Sequence, residues 1–142
     1  MTKAIKTLND AQKQAMKTYC VGLLKDFCAT TAGVQSSTVA TVDGVTVAST
    51  LIGKFESDKL SALSSSMSAL AAALAREVGH PEPDRVLLES EQGRIIFIKV
   101  PIATAGIVFT AVTDHSALLG TLLWSCRSTA EKLAIYTSKL SS

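Results

Sequence analysis

Sixteen consecutive residues, Leu60 to Ala75 (LSALSSSMSALAAALA), carry no charge. Ser57 and Asp58 open the stretch with helix-capping chemistry, and Arg76, Glu77 and Gly79 close it. Leu60, Leu63, Met67, Leu70 and Leu74 recur at steps of three and four, which gathers them on one face of an α-helix. Ser61, Ser65, Ser68, Ala72 and Ala75 form a second stripe at helical spacing, and every member is small. A helix on the surface of a soluble monomer carries charge on its outer side. The expectation is therefore a helix covered twice. The leucine face would lie on the chain's own core, and the small face against a second copy or another protein. The plainer alternative is an exposed Ser/Ala helix, since Ala is a strong helix former.

A chain of 142 residues fits one domain, expected over 1–142 with a flexible lead-in at 1–9. Charged residues make up only 18%, which again fits a protein with covered surface. The net charge of +2 and the lack of a dense Lys/Arg run give no reason to expect nucleic acid or an anionic membrane. Cys20, Cys28 and Cys126 are odd in number and at no metal-ligand spacing, and buried thiols in a reducing cytosol account for them. The polar N-terminus does not read as a signal peptide, and no apolar run reaches the roughly 18 residues of a membrane span. A cytoplasmic, soluble protein is expected.

Asn9 or Asp10 can cap a first helix over about 10–29, with Ala15, Tyr19, Leu23 and Phe27 at four-residue steps and Met16, Cys20 and Leu24 beside them. Val34–Val42 and Val45–Leu51 read as strands joined at Asp43-Gly44, a hairpin signal that suits a type I′ turn. The uncharged helix follows at about 57–78, and His80-Pro81-Glu82-Pro83 stops it. Strands are then expected at Arg85–Ser90 (Val86 and Leu88 on one side), Arg94–Val100 and Ile107–Thr113, with a loop over Pro101–Gly106. Asp114 or Ser116 would cap a last helix to about Thr137 whose inner stripe is Leu119, Leu122, Cys126, Ala130 and Leu133. The short turns require antiparallel pairing. The predicted fold is α+β: a single antiparallel five-stranded sheet sandwiched by helices in the order α-β-β-α-β-β-β-α.

No phosphate-loop, dinucleotide, metalloprotease or nucleophile-elbow motif is present. His80 and His115 sit near loops or helix ends with no nucleophile or ligand at a motif spacing. Cys126 falls on an inner stripe, and Glu89 and Glu91 lie at a hairpin end where carboxylates are solvated. No catalytic residue, cofactor or metal site is therefore expected. Trp124 reads as a partly buried packing residue, and were it exposed it would be a hot-spot candidate. A domain without a site but with an uncharged helix is best explained as one that binds proteins.

Several stretches in this order (ATVDGVTVAST, DKLSALSSSMSALAAALAREVG, RVLLESEQGRIIFIKV and LLGTLLWSCRSTAEKL) together resemble a roadblock (dynein light chain) domain of the bacterial kind over about Val34 to Leu133. The resemblance implies a dimer in which the central helix, here Asp58–Val78, meets its mate. It also implies that the third strand, here Arg85–Ser90, pairs across the two-fold axis, which removes a sticky sheet edge. The expected dimer interface is then Ser61, Ser65, Ser68, Ala72, Ala75, Val86 and Leu88. The family regulates or scaffolds Ras-like small GTPases, so a homodimer with a Ras-like GTPase partner is the leading expectation. Two other readings stay open. One is a small-ligand sensor of the PAS or GAF type, which needs polar groups converging in the core. The other is a structural subunit of a larger complex.

Overall fold

The computed structural model describes residues 8–51, 56–100 and 106–140. Within them the elements are α1 (Asp10–Thr30), β1 (Val34–Thr41), β2 (Thr46–Leu51), α2 (Ser57–Glu77), β3 (Arg85–Ser90), β4 (Gly93–Lys99), β5 (Ile107–Thr113) and α3 (Leu119–Leu140). The strands form one sheet in the order β2-β1-β5-β4-β3, antiparallel throughout. This is the expected architecture and element order. The loop expected over Pro101–Gly106 lies, apart from Gly106, outside the described residues, as does most of the 1–9 lead-in. Leu8, assigned to that lead-in, is buried in the core instead.

α1 begins at a complete capping box. The Asn9 side chain accepts from the Gln12 amide at 2.8 Å, and the Gln12 side chain accepts from the Asn9 amide at 3.0 Å. Its buried stripe is Met16, Cys20, Leu24 and Phe27, with Tyr19 and Leu23 half-buried and Ala15 exposed, one residue round from the four-step series. The β1–β2 connection is a three-residue loop rather than the expected two-residue type I′ turn. The Thr41 amide donates to the Val45 carbonyl, the Gly44 amide donates to the Thr41 carbonyl, and Gly44 sits at φ +89°. This is the longer hairpin solution in which glycine closes the loop in a left-handed conformation. Asp114 accepts from the Ser116 amide at 2.8 Å in a local turn instead of capping α3, which starts five residues later with the Leu122 amide donating to the Leu118 carbonyl.

The pleat divides the sheet residues between two layers. Val39, Ile96, Ile98, Ile107, Phe109 and Ala111 join Met16, Cys20, Leu24 and Phe27 of α1 and Leu122, Cys126, Ala130 and Leu133 of α3 in one core. Phe27 meets Phe109 edge-on with ring centroids 5.2 Å apart, and Tyr19 stacks on Tyr136 at 4.1 Å, locking α1 to α3. Each fully buried large side chain here contributes about 1.5–3 kcal/mol. The alternate sheet residues, Ser36, Thr38, Val108, Thr110, Val112, Ile95 and Phe97, point to the other face, where α2 lies alone.

Candidate interaction surface

Short hydroxyl side chains line much of the layer beneath α2, beside Val108, Val112, Ile95 and Phe97. Thr46 and Ser61 share a hydrogen bond of 2.7 Å, and Thr46 also donates to the Asp58 carboxylate at 2.9 Å. Ser49 and Ser57 bond at 2.9 Å, and the Ser65 hydroxyl donates to the Thr41 carbonyl at 2.8 Å. Thr38 and Thr110 are register partners on neighbouring strands in this layer. Their hydroxyls, and that of Ser36, are buried with no hydrogen-bond partner among the described residues. A sheet face of this kind accepts a helix only at close range, and only small residues allow it.

This exchanges the two faces expected of α2. Ser61, Ser64, Ser65, Ala72 and Ala75 are buried against the chain's own sheet, and Ser68 is half-buried beside them. The small stripe is therefore not an outer surface. The leucines face away from the fold: Leu63, Leu70 and Leu74 are 58%, 63% and 67% exposed, with Val78 beyond them and Met67 half-buried between. The physical reason is hydrogen bonding and distance. Leucines turned inward would hold the helix off the sheet and strand the Thr46 hydroxyl and the Thr41 carbonyl, which Ser61 and Ser65 now satisfy. Leu63, Met67, Leu70 and Leu74 stand at i, i+4, i+7 and i+11, the seam spacing of paired helices. They form a contiguous apolar stripe exposed along the outer side of α2.

On the sheet that α2 covers, β3 is an edge strand. Among the described residues β3 pairs with β4 alone, in a register that sets Val86 against Phe97 and Leu88 against Ile95, so both share the α2 side of the sheet. On this strand Val86 is half-buried and Leu88 is 39% exposed. The start of β3 is held by the Glu82–Lys99 ion pair at 2.6 Å, which draws the Glu82 carboxyl below its ordinary range.

The residues weighed for chemistry do not converge. His80, His115, Glu89 and Glu91 are exposed and scattered over loops and strand ends. Burial pushes the Cys20 and Cys126 thiols up to about 12, far from a nucleophile's range. Among the described residues no group of three His, Cys, Asp or Glu could hold a metal. A cleft of about 140 Å³ between α3 and the β3–β4 edge, lined by Asp84, Arg85, Ile98, Lys99, Arg127, Ala130 and Glu131, is smaller than the usual small-molecule site. Two of its three cations are paired, Lys99 with Glu82 and Arg127 with Glu131. No helix among the described residues is long and apolar enough to cross a membrane.

The fold is thus a five-stranded antiparallel sheet with two helices on one face and, on the other, a single helix with its leucines turned outward. The Roadblock/LC7 domain model matches residues 21–113, and the chain belongs to that family. It is 28% identical over 103 residues to MJ1340, a Methanocaldococcus jannaschii protein, covering 72% of this chain and 87% of that one. The fold is similar to that of the gliding protein MglB from Thermus thermophilus, with TM-score 0.79, 17% identity and coverage of 97% of this chain and 99% of that one. A Roadblock/LC7 domain from Streptomyces avermitilis gives TM-score 0.73 at 14% identity, covering 82% and 95%.

Proposed function

We propose that this protein is a homodimeric interaction module that regulates or scaffolds a Ras-like small GTPase, the role that membership of the roadblock family implies. The observation that carries the dimer is the outward leucine seam of α2, together with the β3 edge strand. Two copies related by a two-fold axis would bury Leu63, Met67, Leu70 and Leu74 against each other. The same axis would bring the β3 strands, with Val86 and Leu88, edge to edge. The small residues first assigned to the interface support it from beneath, by letting α2 lie close to its sheet. The proposed interface is self-complementary, and it closes the exposed strand edge.

The test has two stages. Light-scattering mass establishes the dimer in the wild type. Ras-like GTPases of the same genome, each loaded with GDP or a non-hydrolysable GTP analogue, are then titrated calorimetrically against it. Binding to one of them that depends on the nucleotide supports the regulatory role. A clean dimer that binds none in either state removes the GTPase from the proposal and leaves a structural subunit.

A further inference from the structure

The outer face of α3 carries a pattern that the α2 seam does not use. Trp124 is 72% exposed and Ile135 54%, and Gly120, Arg127 and Glu131 are exposed along the same line, with Ser128 half-buried between. This line lies opposite the buried stripe Leu122, Cys126, Ala130, Leu133. Trp124, the chain's one tryptophan, is thus turned away from the core it was expected to help pack.

The positions 120, 124, 127, 128, 131 and 135 are separated by 4, 3, 1, 3 and 4 residues, which reads the same in both directions. When two such helices lie antiparallel about a two-fold axis between Arg127 and Ser128, residues whose numbers sum to 255 come level. Gly120 then faces Ile135, Trp124 faces Glu131, and Arg127 faces Ser128, each twice. The chemistry of these pairs fits. Ile135 covers the gap left by a residue without a side chain. The Trp124 indole N–H, a donor only, meets a carboxylate. Arg127 reaches the indole face and the partner's acid. Within one copy Arg127 already lies 3.4 Å from Glu131, so two copies close a ring of alternating charge. Gly120 points to the same conclusion. A Cβ there would meet nothing within 4 Å, so the fold of one chain does not require glycine at a helical position where it is a poor choice.

We propose that α3 is a second self-association surface, whose occupant is the α3 of another copy in this antiparallel register. It lies on the sheet face opposite α2, so it is independent of the α2 seam and can form alongside it. Two different two-fold contacts on one chain build a closed tetramer or an extended array. A single helix pair over 120–135, about 24 Å long, is small for a stable interface. Association through it should therefore depend on concentration.

The single tryptophan reports the contact directly. In the full-length protein, raising concentration should shift Trp124 emission to the blue and lower its quenching by acrylamide several-fold. In a Cys28→Ser background, Gly120→Cys mixed with Ile135→Cys should form an oxidised cross-link. Neither variant alone should, because its own sulfurs would sit about 22 Å apart along the axis. The same readouts in a Leu70→Glu background separate this contact from the α2 seam. Tryptophan quenching that is independent of concentration, together with no mixed cross-link, overturns the proposal. Cross-linking of Gly120→Cys to itself overturns the register.

Discussion

The Ser65 hydroxyl donates to the Thr41 carbonyl at 2.8 Å, tying the middle of α2 to the end of β1 and setting which way the helix faces. With Ser61 bonded to Thr46, it anchors the small stripe on the sheet and turns the leucine stripe outward. The mutational consequences of the two stripes are therefore opposite.

Leu70→Glu alters a side chain 63% exposed in one chain, so the isolated fold should tolerate it within about 0.5 kcal/mol. In the proposed dimer it places two unpaired carboxylates in an apolar seam, at a cost of several kcal/mol. Light scattering at matched concentration should show a shift from dimer to monomer with the circular dichroism spectrum unchanged. A Leu70→Glu protein of unaltered dimer mass would place the interface elsewhere.

Ser65→Arg should act on the fold. Ser65 is buried against the sheet, and the substitution removes its hydrogen bond and forces a charge into a close-packed layer. A loss of about 3–5 kcal/mol is expected, read as a fall in the urea midpoint of the monomeric Leu70→Glu background. A stability equal to that background would mean that α2 presents its small face to solvent after all.

Thr110→Val tests the hydroxyl layer from the other direction. The Thr110 hydroxyl is buried and has no hydrogen-bond partner among the described residues. Replacing it with a methyl group of similar size removes a desolvated polar atom, and stability should rise by about 1 kcal/mol. A loss of that size would show that the hydroxyl is satisfied in solution.

The thiols should separate by reactivity and by pH. Cys20 and Cys126 are buried and pushed up to about 12, whereas Cys28 is half-buried with its sulfur 3.2 Å from the Thr50 hydroxyl. A thiol reagent should modify one cysteine per native chain at most and three after denaturation. Both buried thiols stay protonated in the folded state at pH values where the unfolded chain ionises, near 8.5. Stability should therefore be unaffected below that pH and decline above it, with a limiting slope of about 1.4 kcal/mol per pH unit for each thiol, until the folded value near 12 is passed. Urea midpoints from pH 7 to 11 measure the decline. A flat profile would mean that the two thiols are hydrated in the native protein.

Most of the fold is legible in the sequence, because it rests on local signals. β-Branched runs placed β1, β4 and β5 to within two residues, the Pro81–Pro83 segment ended α2, and Asn9 capped α1. The unbroken absence of charge from Leu60 to Ala75 also set this helix apart from an ordinary surface helix without any coordinates. Periodicity separates two faces of α2 but does not say which is inside, since either stripe is apolar enough to be covered. That choice depended on the sheet, whose hydroxyl-lined face of Ser36, Thr38, Thr46, Ser49 and Thr110 is assembled from strands up to 74 residues apart in the chain. The direction in which Trp124 points was likewise decided by which side of α3 found the core. The sequence by itself determined the elements, their order and the uncharged character of α2. The tertiary structure decided which stripe of α2 is buried and which is left outward, because facing is settled by the surface a helix packs on.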